Sequence, residues 1–500
     1  MIERGSLGVV LLTLSIVAGC RVGPEYRPPA KPAGAEAQLI SINPTAETTA
    51  QPPDDWWKLY NDPHLDGVLQ EAFAANADLA AAEANFSAAR AFLSAARAAR
   101  YPQTAVSAAG IRGRDAVTDE ILEFGGHSPK TIWLLDDELE VSYEVDLFGR
   151  ITRSIEASRA NAQAVGAARD SLKVIVAAET ARAYAQICAL GEQLGVARHS
   201  LEVVSREAEI TVHRHEAGAN SEFDVVRAQG LVAQIRSAIP PLEGQRRSAL
   251  FQLGALLGRT PTNAPTDLEA CTTPPALSIL IPIGDGAALL KRRPDVRQAE
   301  RLLAAATARI GVATADLYPK ISLTGFYGGA GLQLSDLTAE RGLTWGVGPS
   351  VSWSFPNQAL PRTRIRQAKA NAAGALAGFD STVLNALKET EQSLAIYSAA
   401  LDNRQALADA QTLARSAFTM AHDQFIAGSL SNLDLLTAEQ ALVAADAAVA
   451  ASDSVLIQDQ IAVFKALGGG WHSSASAPPA ANGYSTETRH GLAQADAHDH

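Results

Sequence analysis

The side chains able to do chemistry in this 500-residue chain fall into rows and pairs and form no catalytic set. Glu138, Glu140, Glu144 and Asp146 alternate with Leu139, Val141, Tyr143, Val145 and Leu147, so a strand over 138–147 carries carboxylates on one face and apolar groups on the other. His213 and His215 are two positions apart; on a helix such positions diverge, and they read as surface residues. His490, His498 and His500 could hold a metal, but a solvated tail accounts for them more simply. Gly325 to Gly331 is glycine-rich, yet it lies in a strand pattern and lacks the Lys-Ser/Thr of a phosphate loop. No Ser/His/Asp arrangement is recognisable. The expectation is a protein without enzymatic activity, cofactor or metal, whose acidic rows line water.

The elements that must carry these rows are duplicated. Asp78, Glu83 and Tyr101-Pro102 recur as Asp295, Glu300 and Tyr318-Pro319, each pair 217 positions apart. Glu179-Thr180, Gly218 and Asp224 recur as Glu389-Thr390, Gly428 and Asp434, 210 positions apart. Units of roughly 200 residues are far longer than solenoid repeats and imply a pseudo-symmetric, duplicated half-fold.

Within each copy, a helical pattern stops at a Tyr-Pro pair, as proline requires. In copy one this helix runs from Asp62 to about Arg100. Two strands follow, over about 103–112 and 138–147 in copy one and about 320–329 and 343–355 in copy two. About ten residues is the length of a tilted transmembrane β-strand. The segments 115–131 and 333–342 read as polar loops. Proline-free, Ala-rich runs from Arg150 to Ala217 and from Arg362 to Ala427 then predict helices of about 100 Å. Turns at Gly218 and Gly428 send the chain back, with Pro240-Pro241 expected to interrupt the first return helix.

The ends carry targeting information. Arg4, an apolar run from Leu7 to Val17 and small Ala18-Gly19 read as an export signal too short to span a membrane. Val17-Ala18-Gly19-Cys20 resembles a bacterial lipobox, which would make Cys20 an acylated N-terminus that anchors the protein to lipid. Arg21 in place of Asp favours sorting to the outer membrane. Cys188 and Cys271 are expected to be unpaired thiols, with a disulfide as the alternative in an oxidising periplasm. The net charge of −12 argues against a nucleic-acid partner. The expected organisation is a signal peptide over 1–19, an extended lipidated strap over 20–60, repeat one over 61–270, repeat two over 283–468 and a disordered tail over 469–500.

Amphipathic strands of membrane length cannot stand alone, because every backbone group in hydrocarbon must be paired. Four strands are too few to close a barrel, for which eight is the usual minimum. Several chains must therefore share one. The expected fold is mixed α and β, mostly α, with four transmembrane strands and long periplasmic coiled helices per chain. Three chains would make a twelve-stranded barrel, with Glu140, Glu144 and Asp146 facing its lumen, continued by an α-helical barrel.

Four motifs carry a resemblance. They are Cys20-Arg21-Val22-Gly23-Pro24-Glu25-Tyr26, the first-helix lead-in from Trp56-Trp57-Lys58-Leu59-Tyr60 to Leu65, Ser142 to Arg150 at a strand-to-helix junction, and Arg292-Arg293-Pro294-Asp295-Val296. In order, they resemble the outer-membrane factors of tripartite efflux systems, the TolC-like, NodT-type lipoprotein branch. The resemblance implies a homotrimeric passive duct for small toxic compounds, with a periplasmic adaptor and an inner-membrane pump, of RND type, docked at its periplasmic tip. It also implies that the turns Gly218 to Ser221 and Gly428 to Ser431 contact the adaptor. Asp434, with its repeat partner Asp224, matches an aperture carboxylate. Phe425 stands where relatives often carry a gating Tyr, and Leu430 and Thr437 where some place a latch Arg and a second Asp. Alternative functions are the duct of a type I protein secretion system and a structural envelope lipoprotein without a pore.

Overall fold

A computed structural model describes residues 21–114, 124, 131–277 and 279–469. The expected signal peptide, Cys20, most of the expected 115–131 loop and the tail histidines lie outside the described residues.

The first helical run divides in two. Helices α1 (Pro63–Ala75) and α2 (Ala77–Ala98) meet at Asn76, whose extended backbone ends one helix. Its Oδ1 accepts from Leu79 N, 3.1 Å away, to start the next. With neither Pro nor Gly at the break, the helical period runs through it, and the sequence reads as one helix.

Strands β1 (Gln103–Gly113), β2 (Ile132–Val145), β3 (Lys320–Gly331) and β4 (Leu343–Ser352) form one antiparallel sheet in the order β1-β2-β3-β4. β2 begins six residues earlier than its alternation suggests, since Leu134-Leu135-Asp136-Asp137 breaks the period yet still pairs. β4 stops at Ser352, short of the expected 355. Cross-strand partners share a face. Val106, Leu139, Tyr327 and Trp345 make one row, and Val141, Gly325 and Val347 the next. The opposite face carries Glu140 beside Ala105 and Phe326, and Glu144 beside Ser322. The apolar face is bare within the chain, with Val106 81% and Val347 73% exposed. Aromatic pairs mark the base of the sheet: Phe148 stacks on Tyr318 at 4.5 Å and Trp353 on Phe355 at 4.7 Å.

Below the sheet run two helical hairpins. α3 (Arg150–Glu216) returns as α4 (Glu222–Leu256); a short α5 (Gly286–Arg292) and α6 (Pro294–Ala315) lead to β3; α7 (Ala359–Ile426) returns as α8 (Asn432–Ala466). α3 and α7, with 67 and 68 residues, each span about 100 Å. α4 continues through Pro240-Pro241 where an interruption was expected. Both prolines are exposed, so water can reach the carbonyls they leave unpaired.

The main core sits midway down the hairpins. Trp56 stacks on Phe464 at 4.8 Å, and Trp57, Leu65, Leu69, Tyr184, Leu394 and Ile461 pack around them. Arg292 bonds Asp54 and Arg293 reaches Asp295, Glu389 and the Ala466 carbonyl. The Trp-Trp and Arg-Arg-Pro-Asp motifs are thus the two halves of one packing hub. Cys188 and Cys271 form a disulfide that ties mid-α3 to the segment after α4, correcting the reading of two free thiols. The thiols are 83 residues apart, and only the return of α4 brings them together.

The strap crosses the upper helices. Buried Arg153 donates to the carbonyls of Val22 and Gly23, and Tyr26 donates to Glu300 at 2.8 Å. A Cβ on Gly23 would meet Gly311 Cα at 2.5 Å, and one on Gly311 would meet the Arg153 side chain at 2.8 Å, so the strap lies too close to α6 and Arg153 for either position to carry a side chain without a shift.

Candidate functional site at the hairpin ends

The two hairpin ends are built alike. Gly218 and Gly428 both have φ +76°, which an L side chain adopts only with strain. Around them the backbone closes in the same way. Ala219 N bonds Arg214 O at 2.8 Å and Ser429 N bonds Gln424 O at 2.9 Å, with Gly218 N on His215 O and Gly428 N on Phe425 O.

Each return helix then starts from a serine cap. Asp224 N donates to Ser221 Oγ at 3.2 Å, and Ser221 N returns a bond to Asp224 Oδ2 at 3.1 Å. In the second hairpin Asp434 N donates to Ser431 Oγ at 3.3 Å, and that hydroxyl donates to Asp434 Oδ2 at 2.6 Å. The hydrogen bond from the Ser221 hydroxyl holds the Asp224 carboxyl below its ordinary range. Asp434 is exposed beside the turn and Asp224 half-buried. Both carboxylates serve the helix starts and leave charge at the hairpin ends.

Phe425 is buried, and the guanidinium of Arg214 lies 4.1 Å from its ring centroid. That stacking joins α3 to α7 close to both turns. Sequence reading missed Arg214, because the contact crosses between repeats and no local spacing marks it. Thr437 bonds back to Leu433 O at 2.8 Å within its own helix. His213 approaches Glu216 and His215 the Asn220 carbonyl, each with a separate neighbour. Apolar packing of Val204, Ala208, Ala228, Leu231, Ile235 and Leu436 holds the hairpins together above the turns.

At the other end, the carboxylates expected in the lumen divide. Glu140 stays on the polar face of the sheet. Glu144 pairs with Arg150, Nε to Oε1 2.8 Å. Asp146 lies beyond β2 and accepts from Ile151 N and Thr152 N at 2.9 and 2.8 Å, capping α3. The cap places Asp146 at the head of a helix and off the strand row, where its charge suits the helix dipole.

A membrane-length sheet with one apolar and one polar face, prolonged by 100 Å helical hairpins, defines a membrane duct subunit. The family model for outer membrane efflux proteins matches residues 68–259 and 287–469, and the chain belongs to that family. It is 27% identical over 467 residues to nodulation protein T of Rhizobium leguminosarum bv. trifolii, covering 92% of this chain and 97% of that protein. It is 28% identical to the toluene efflux pump outer membrane protein TtgC of Pseudomonas putida, covering 93% and 96%. The solved outer-membrane channel OprN superposes with a TM-score of 0.80 at 33% identity, over 90% of this chain and all of that one. The protein is an outer-membrane efflux channel component.

Proposed function

We propose that this chain assembles as a homotrimer, closes a twelve-stranded barrel in the outer membrane and conducts small toxic compounds from a periplasmic adaptor and an inner-membrane pump of RND type to the exterior. The observation that carries the reading is the open sheet. β1 and β4 are edges, the apolar face is exposed, and lipid tolerates neither unpaired edges nor partial barrels. Three copies joined β4 to β1 satisfy both constraints. The hairpins then form the periplasmic wall, with Asp434 and Asp224 around its aperture and the Gly218–Ser221 and Gly428–Ser431 turns presented to the adaptor. Energy comes from the pump; the duct supplies a path. Cys20, acylated, fastens the strap to the inner leaflet.

Detergent-purified full-length protein should run as a trimer by native mass spectrometry and open ion-conducting pores in planar bilayers. Cys20→Ser should keep the trimer and lose palmitate labelling. A monomer stable in water without detergent, or a trimer that never conducts, would refute the duct.

A further inference from the structure

Two turns into α8, Glu439 is 1% exposed, and neither of its carboxylate oxygens has a hydrogen-bond partner among the described residues. Leu436 and Val443, three residues before and four after it on the same helix stripe, belong to the apolar packing that joins α8 to α3 and α4. The titratable group facing it from α3 is Glu207, itself 8% exposed. From α7, His422 brings Nδ1 to 3.5 Å from Glu207 Oε1. From α4 come Ala228, Leu231 and Ile235, while the nearby Arg227 lies over Phe223. Two buried carboxylates on different hairpins therefore meet with one histidine beside them and, among the described residues, no Lys or Arg paired to either.

An anion left unpaired in such surroundings is costly, and a neutral acid is not. Burial, with the Glu207 charge adding to it, pushes the Glu439 carboxyl up to about 7 from its ordinary 4.5.

We propose that Glu439 and Glu207 form a proton-binding site that clamps the two hairpins of each chain together near their periplasmic ends. With the proton on Glu439, α8 packs against α3. When the proton leaves to water, two desolvated anions repel each other across the helix contact, and the hairpins loosen. The clamped packing binds the proton more tightly than a water-exposed carboxyl does. Its advantage is complete below about pH 4.5 and is lost as pH rises to about 7. The site is separate from Asp434, which is exposed. The clamp itself does not depend on the duct; that its release loosens the duct's periplasmic end rests on the reading above.

The test is amide hydrogen exchange of segments 200–216 and 432–445 in full-length protein in detergent, corrected for intrinsic rates, between pH 5.5 and 8.5, with bilayer conductance over the same range. In the wild type, protection should fall by about tenfold or more as pH rises from 5.5 through 7, and conductance should rise. Glu439→Gln, a permanently neutral acid, should keep protection and low conductance throughout. Glu207→Gln should move the wild-type midpoint to lower pH. A pH response unchanged in Glu439→Gln, a wild type with no response, or a midpoint unmoved in Glu207→Gln would overturn the clamp. Exchange that behaves as expected in a protein that never conducts would support the clamp and remove the duct.

Discussion

Asp434 shows how one residue can hold two roles that a single substitution confuses. Its carboxylate accepts from the Ser431 hydroxyl and so belongs to the helix start, and it also leaves exposed charge at the hairpin end. Asp434→Asn keeps an oxygen acceptor and removes the charge. It should leave the thermal stability close to wild type and reduce cation preference, read as reversal potential in asymmetric salt. Ser431→Ala should instead cost about 1 kcal/mol of stability and leave ion preference in place. Equal selectivity in wild type and Asp434→Asn would make Asp434 a cap alone. The glycine turns and their serine caps were legible because each is a local pattern. Arg214 over Phe425 was not, since its partners lie on different hairpins.

At the scale of elements, the sheet's two faces set opposite rules. Val347 is in the middle of β4 on the exposed apolar face, whereas Thr344 shares the polar row with Glu138. Val347→Arg should destabilise the folded barrel by about 2–4 kcal/mol in vesicle-based unfolding, and Thr344→Arg should cost far less. Equal costs would mean that the apolar face does not meet lipid. Strand positions were readable from alternation, but the first residues of β2 were not: Leu134 to Asp137 lose the period and are held by pairing to β1 and β3. Likewise the extended backbone of Asn76 ends one helix while its side chain starts the next, and Pro240-Pro241 fails to end one because both residues face water.

Over the whole molecule, the long hairpins need cross-ties, and several lie well above the turns. The Trp56–Phe464 hub joins the strap to α8, Arg153 pins the strap to α3, and Cys188–Cys271 fastens the connection between repeats. A chain-entropy model assigns closure of a loop that long about 4.5 kcal/mol, so Cys188→Ser or reduction should lower the melting temperature clearly. Circular dichroism melts with and without reductant check this, and superimposable melts would show the bond to be dispensable. The free thiols expected from sequence were a misreading of distance: nothing near either cysteine announces the other.

Sequence alone determined the duplication, the two faces of the strands, the long helices and their glycine turns. Each rests on a period or a spacing, and chain geometry turns these directly into structure. Tertiary structure decided which polar groups are free and which are spent. It put Asp146 on a helix start, Glu144 on Arg150, two cysteines in one bond and Glu439 out of reach of water. Those outcomes depend on which distant segments come to lie side by side, and that is settled by packing, where burial and pairing set the energy of every charge.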